Sequence, residues 1–477
     1  MKTVDVAIVG AGIAGLALAW KLKRLRPEIS LALLDSAPRG GGLVGTARRE
    51  GFQVELGPAG VLDDKPEFVA LCQELELELF RAAPAAADRF LFLGDRLRRL
   101  PATPGEFLRS DILSARGRLR FVAERLLGRA SGLADESIRD FGIRHFGTEA
   151  ADVLLDTVVT GIYAGDPSRL SFPSCFPRLA ALEKEHGSLL KAQMILARDR
   201  KAQARSAQAR SAGEGSAVQA RNASPLGGVM ATPKGGMGTL VEALAQRLAP
   251  DLQTDVQIES IAPADSGWDL TLRGDEPTRA AKLALAAPAY RMAPLVRPWN
   301  PALADLLAGI EAASVAVCAV GYRREDLATV PTGFGYLAPE RLERPVLGAI
   351  YSSSIFPEQA PADGVQIRAI LGGWRRPEVA GWPEEQLIGA VRADLKTALG
   401  IVAEPIFTEC VRWERAIPQY FVGHQDRLAK IAAASPPGLY FLGASYRGVA
   451  VADCVNDAGQ VASAVLAAPM NPAVPAG

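Results

Sequence analysis

The sequence is poor in the residues that staple small secreted domains or bind metals. Its five cysteines, Cys72, Cys175, Cys318, Cys410 and Cys454, are scattered over 477 residues and form no C-x-x-C pair. No disulfide framework and no zinc site is expected, and a reducing compartment fits. Histidine is scarcer: His145, His186 and His424 stand far apart, and nothing about them argues for a metal. An excess of one charge is also missing. Lys+Arg and Asp+Glu both number 53, so global charge directs the chain neither to nucleic acid nor to an acidic partner. The longest apolar stretch, Ala7 to Trp20, is too short to span a bilayer and is broken by glycines. The N-terminus enters a strand-like run, "TVDVAIVG", without a cleavable leader, so a cytoplasmic or membrane-surface location is expected. Hydrophobic residues are plentiful at 49%, against 22% charged. That composition is globular, and the length predicts two or three domains.

The first motif follows at once. A buried strand, Val6 to Val9, runs into "GAGIAG" and then an apolar helix. Gly10, Gly12 and Gly15 have the dinucleotide-binding spacing, with Ala11, Ile13 and Ala14 between them. The first glycine permits a tight turn, the second lets a pyrophosphate reach the backbone, and the third lets helix and strand pack closely. The helix N-terminus then offers free N–H groups to phosphate. A second strand, "SLALLD", ends at Asp35, about 20 residues beyond the last glycine, where a carboxylate accepts from a ribose hydroxyl. A strand–turn–helix without ligand is the plain alternative.

A second glycine cluster, "PRGGGLVGT", comes directly after the acid and lets the backbone approach a ligand again. Nicotinamide enzymes do not need it there. It resembles the R-x-G-G motif of the flavoproteins that include amine oxidases, phytoene desaturases and protoporphyrinogen oxidases, which implies FAD and brings in Arg39, Gly41 and Gly42. Near the C-terminus "GLYFLGAS" reads as a strand closed by Gly443, and an apolar helix follows "YRGVAVADC". This resembles the family's second flavin-contacting element, with Val449, Ala450 and Val451 beside the isoalloxazine. Many relatives carry glycine at the position of Ala450. "LQTDVQIESI" resembles the strand whose valine backbone contacts adenine, which points to Val256.

From about Pro84 the character changes. "RFLFLGDRLRRLP" resembles a hairpin. The Pro104–Gly132 segment then places apolar residues at helical spacing among arginines, which is either a core helix with a basic face or a helix lying in a lipid headgroup layer. "KAQARSAQARSAGEGSAVQARNASPLGG" lacks aromatics and reads as a solvated insertion. Beyond Pro301, strand-like and helical runs describe a second α/β unit. The expected fold is α/β (α+β). A discontinuous Rossmann-type FAD-binding domain (1–83, 231–290 and 435–477) carries an inserted substrate-binding domain (291–434). A helical membrane-associated domain (84–200) and a flexible insertion (201–230) complete it.

"ELGPAGVLD", "LRRLP", "TGIYAGDPSRLSFPSCFPRLAALEKEHGSL", "GFGYLAP", "LGAIYSSSIFP", "WERAIPQYFVGHQDRL" and "GASYRGVAVADC" together resemble the protoporphyrinogen oxidase family over nearly the whole chain. The resemblance implies a six-electron, FAD- and oxygen-dependent oxidation of a porphyrinogen, with the flavin, not a side chain, taking the hydride. It places Ser36, Gly57, Pro58, Ala59, Gly60 and Trp413 with the cofactor. On the substrate side it places Arg98 against a propionate and Phe334 and Leu337 against the ring. Gly161 offers its carbonyl to the pyrrole N–H groups from the Thr160–Gly165 corner. Many relatives hold asparagine where this chain has Ala59, which leaves the second propionate without an assigned partner. A membrane surface and a homodimer are further implied associations; nucleic acid is not. Three rival readings stand beside this one. They are a coproporphyrinogen III oxidase, an amine oxidase or desaturase with an aromatic cage that would use Tyr446, and a flavin-free escort protein.

Overall fold

The structure, a computed structural model, describes residues 1–127, 132–195, 198 and 228–468. The insertion expected at 201–230 therefore lies outside the described residues except for its last three. Two seven-stranded sheets organise these residues. In the first, the strand Lys2–Val9 lies between Leu31–Leu34 and Thr278–Leu285, parallel to both. Their near-continuous apolar runs, "VAIV", "LALL" and "LAL", are buried on both faces, as a helix-covered parallel sheet requires. Thr278–Leu285 divides its outer edge. Its first half pairs antiparallel with Gly267–Leu272, and its second half pairs parallel with the C-terminal strand Leu439–Phe441. Segments from both ends of the chain thus meet in one sheet. The helices Ile13–Leu25, Met237–Arg247 and Val451–Ala467 cover one face through a shared apolar cluster.

"LQTDVQIESI" does not form the single strand expected of it. Leu252–Gln253 ends the parallel part, Asp255 turns at φ 58°, and Ile258–Ala264 begins an antiparallel hairpin. Val256 sits in the break, its N–H on the Asp35 carbonyl at 2.9 Å.

The second sheet runs in the order Phe407–Pro418, Ala312–Arg323, Gly364–Gly372, Val346–Ile350, Gly335–Leu337, Arg89–Leu93, Arg96–Arg99. The hairpin expected within the helical segment thus forms the edge of this sheet. One face packs on the helix Glu384–Leu399 through Leu387, Val391 and Leu395. The other faces the first sheet's loops and the helix Asp156–Tyr163. Cys318 and Cys410 are direct partners in this sheet and form a disulfide. Against the expectation of no disulfide framework, this one pair forms, while Cys72, Cys175 and Cys454 stay free. A separation of 92 residues hid two positions that face each other across adjacent strands.

The Pro104–Gly132 segment forms short helices, Pro104–Arg109, Ala115–Val122 and Glu124–Leu127. Not all of its arginines face outward: Arg118 donates to the Ser110 and Leu113 carbonyls, and Arg120 to those of Arg144 and His145. Phe121 also turns inward, tilted against Phe107 and stacked on Phe146. Buried His145 ties the segment together, with Nδ1 2.8 Å from Glu124 and Nε2 3.0 Å from Glu183. Among the described residues no helix is long and apolar enough to cross a membrane.

Candidate functional site

The glycine loop is built as its spacing demands. A Cβ on Gly10 would stand 2.7 Å from the Ala287 nitrogen, and one on Gly15 would stand 1.9 Å from the Gly10 carbonyl. Both glycines are therefore required by the turn and by packing. Gly12 is different: a Cβ there would meet nothing within 4 Å. Its open side faces a groove that also takes in Ile13, Ala14, Gly41, Gly42 and Pro58. The Ile13–Leu25 helix starts at Gly12 with no side-chain cap, so no side chain stands between its N-terminus and this groove. A diphosphate fits such a cradle.

The two glycine clusters are locked together. The Gly41 N–H donates to the Ala11 carbonyl at 2.7 Å, and Gly12 bridges Gly41. Asp35 accepts from the Ala11 N–H at 2.6 Å and from the Ala37 N–H at 2.8 Å, which leaves lone pairs for ribose hydroxyls. Ser36 beside it is exposed. Arg39 is exposed and turned onto its own loop, donating to the Gly40 and Val44 carbonyls at 3.1 Å each. It braces the glycine cluster.

At the opposite wall Gly443, Val449 and Val451 line the same groove. The Val451–Ala467 helix begins there after Ala450, again without a side-chain cap. The groove thus lies between two uncapped helix N-termini, each with a partial positive charge. Gly57 approaches the backbone of Leu43 too closely for any Cβ, and Gly60 that of Ala231. Trp413 Nε1 donates to the Leu56 carbonyl at 2.7 Å. Trp413 therefore holds the Gly57–Gly60 loop in place, and Ala59 is half-buried within that loop.

Several supporting residues escaped the sequence reading. Arg368 is buried and donates to the Glu55 and Gly57 carbonyls, pinning that loop to the second sheet. The Tyr420 hydroxyl donates to the Ala444 carbonyl and accepts from the Gly448 N–H, which spans the C-terminal loop. Its ring stacks on His424 at 4.1 Å. Burial pulls the His424 pKa down to about 4, so the ring is neutral; its Nε2 lies 3.1 Å from the Tyr446 carbonyl. Tyr290 and Arg415 also line the groove, with the guanidinium 3.9 Å over the ring. The "PQYFVGH" stretch signalled Tyr420 and His424; nothing local signalled Arg368.

On the substrate side Gly161 and Leu337 do meet. A Cβ on Gly161 would stand 2.7 Å from Leu337 Cδ1. Gly161 lies within the helix Asp156–Tyr163, which follows a π-turn at Ala151–Leu155, and the left-handed turn within Thr160–Gly165 comes at Ala164 with φ 45°. The Ala164 N–H bonds to the Thr160 carbonyl, and no hydrogen bond among the described residues ends on the Gly161 carbonyl. That carbonyl sits on an exposed strip with Val158 and Ile162, each 43% exposed. Val449, which lines the groove, and Leu337, which meets Gly161, pack against the same apolar cluster. Arg98 lies opposite Leu91 on the sheet edge, 3.2 Å from Asp111. Phe334 packs against a different cluster, with Met230 and Ile350, from the one that Leu337 packs against.

Residues 13–466 match the model of the flavin containing amine oxidoreductases. The chain is similar to the chloroplastic protoporphyrinogen oxidase of Nicotiana tabacum, at 30% identity over 97% of this chain and 85% of the relative. It is similar to the coproporphyrinogen III oxidase of Bacillus subtilis (strain 168) at 27% identity over 94% of this chain and 95% of the relative. A crystal structure from Exiguobacterium sp. 255-15, provisionally assigned as a protoporphyrinogen oxidase, superimposes with a TM-score of 0.79 at 22% identity, covering 97% of this chain and 98% of that one.

Proposed function

Because the chain belongs to the flavin-containing amine oxidoreductase family, we propose that it oxidises protoporphyrinogen IX to protoporphyrin IX. The observation that carries this reading is the carbonyl of Gly161, on which no hydrogen bond among the described residues ends, on an exposed helix face beside Leu337. A porphyrinogen is a broad apolar ring with N–H donors at its centre. It needs an acceptor that adds no bulk, and a helix C-terminus supplies one carrying partial negative charge. Leu337 and Phe334 give apolar contact at the sides, and Arg98 suits a propionate through two parallel hydrogen bonds.

The flavin, when bound, supplies hydride acceptance and reoxidation by oxygen. The residues described here hold the macrocycle over the groove and keep water away from it. Three two-electron rounds remove six electrons and six protons and convert three O2 to three H2O2. The amine-oxidase alternative is disfavoured because Tyr446, the tyrosine its cage would use, is buried in the core of the first sheet. Anaerobic mixing with protoporphyrinogen should bleach the yellow chromophore; an unbleached flavin would overturn the reading. Parallel turnover with coproporphyrinogen III separates the two porphyrinogen activities.

The helical segment supports a lipid-surface location. Leu108, Leu119, Val122 and Leu126 are exposed on it, which suits shallow insertion among headgroups. Since Phe121 is turned inward, the informative variant is Leu119→Ser with Leu126→Ser. Liposome co-sedimentation should fall in that variant, and equal binding would remove these residues from the contact.

A further inference from the structure

The last strand of the second sheet, Phe407–Pro418, is interrupted where it reaches the cofactor groove. Trp413 pairs with Val315 and Ile417 with Ala313, so Glu414, Arg415 and Ala416 stand opposite Ser314 alone. This bulge is pinned. The Arg415 N–H donates to Ser314 Oγ at 3.0 Å, and the indole N–H of Trp413, just before it, donates to the Leu56 carbonyl. Within the bulge Arg415 takes φ 48°, a left-handed conformation that any residue with a Cβ disfavours. Bulges re-aim side chains beside active sites, and backbone held in such a conformation concentrates at ligand sites.

The side chain so aimed belongs to the groove. Arg415, Ala416 and Pro418 line it together with Tyr290, and the Arg415 guanidinium lies over the Tyr290 ring, 3.9 Å from the centroid. Among the described residues that line the groove, Arg415 alone carries a charge. Its guanidinium has no ion pair and no hydrogen bond among the described residues, only the aromatic ring. Arg39, the cation that the family resemblance assigns to the cofactor, donates instead to the Gly40, Gly42 and Val44 carbonyls of its own loop. A dinucleotide brings two phosphate charges into this groove. The two helix N-termini offer only partial positive charge to meet them, which leaves Arg415 as the one whole cation.

We propose that Arg415 binds the diphosphate of the dinucleotide from the second-sheet side of the groove, with Tyr290 holding the guanidinium in place. A guanidinium donates two parallel hydrogen bonds to phosphate oxygens, and an aromatic face against it keeps the planar fork oriented. The left-handed bulge then has a purpose: it carries a cation out of the second sheet to a cofactor cradled by loops of the first. The proposal rests on membership of the flavin-containing family and is independent of which substrate is oxidised.

The test follows FAD release from the full-length holoenzyme on dilution, read as recovered flavin fluorescence, with ADP added to displace the cofactor. Loss of charged hydrogen bonds in Arg415→Gln should raise the FAD Kd roughly ten- to a hundredfold and raise the ADP inhibition constant by a similar factor. Arg415→Lys, which keeps the charge without the fork, should lie between. Added salt should weaken FAD binding more in wild type than in Arg415→Gln. Arg415→Gly relaxes the left-handed backbone and so guards against a folding defect; its FAD Kd should rise as in Arg415→Gln. An FAD Kd unchanged in both Arg415→Gln and Arg415→Gly would overturn the proposal. So would a raised FAD Kd with an unchanged ADP constant, which would place Arg415 away from the diphosphate. Neither readout depends on porphyrinogen turnover, so failure of that activity would leave the cation's role standing.

Discussion

Gly161→Ala sets a local preference against a tertiary one. An alanine inside a helix gains about 1 kcal/mol over glycine. Here, however, the added Cβ would stand 2.7 Å from Leu337 Cδ1 and 3.1 Å from Cδ2. Leu337 has little room on its far side, where Cδ2 already lies 2.7 Å from the position of a Cβ on Gly348. The leucine is only partly buried, so its free end can swing outward over the exposed strip. Overpacking of this kind costs about 1–3 kcal/mol. Set against the helix gain, net destabilisation should be about 0–2 kcal/mol, small for a chain of this length. Activity should suffer more, because the displaced leucine occupies the space over the carbonyl that the ring needs. The expected result is a drop in kcat/KM of roughly ten- to a hundredfold, about 1.4–2.8 kcal/mol of transition-state stabilisation, with a folding midpoint close to wild type. The assay is porphyrin fluorescence for turnover, with chemical unfolding for stability. Adding Leu337→Ala should restore much of the loss, with a coupling energy above about 0.5 kcal/mol. Wild-type kcat/KM in Gly161→Ala, or strict additivity with Leu337→Ala, would refute the close-packing argument.

Two buried groups should give opposite pH slopes of stability. Burial lifts the Glu55 pKa to about 7, so its contribution is complete below about 4.5 and is lost as pH rises through 7. For His424, lowered to about 4, the contribution is present above 6.5 and is lost as pH falls through 4. Each shift corresponds to about 3 kcal/mol, and the two cancel over their shared range. Unfolding midpoints of Glu55→Gln relative to wild type should therefore rise with pH between about 4.5 and 7; a flat difference would show that Glu55 titrates normally. Tyr420→Phe removes the hydroxyl that joins the Ala444 carbonyl to the Gly448 N–H. It should weaken flavin retention by about 1–3 kcal/mol, measured as flavin released on dilution, and unchanged retention would count against its positioning role.

What could be read along the chain was what contiguous residues decide by themselves. The Gly10–Gly15 turn, Asp35 at a strand end and the Gly443–Val451 loop are local backbone requirements, and a few residues state each of them in full. The similarity to protoporphyrinogen oxidases was legible for the same reason, since it rests on short segments whose order is preserved. The harder features depend on register or on an exception to local preference. Within the Thr160–Gly165 corner it is Ala164 that turns at φ 45°, a conformation alanine disfavours, so the residue that makes the turn could not be read from local preference. Asp255 at φ 58° broke a strand that its composition would have continued, and left Val256 outside it. Cys318 and Cys410, like Arg89, Arg98 and Arg368, acquire partners or lose them only when the strands of the second sheet are aligned. A shift of one residue in any pairing would send these side chains to the other face. In the sequence these arginines are indistinguishable from the many others. In the sheet Arg368 binds a loop, Arg98 stands beside Asp111 and Arg89 lies over the Phe334 ring. The chemistry of the substrate side therefore depends on strand register, and that is where variants will separate a porphyrinogen oxidase from its relatives of the same fold.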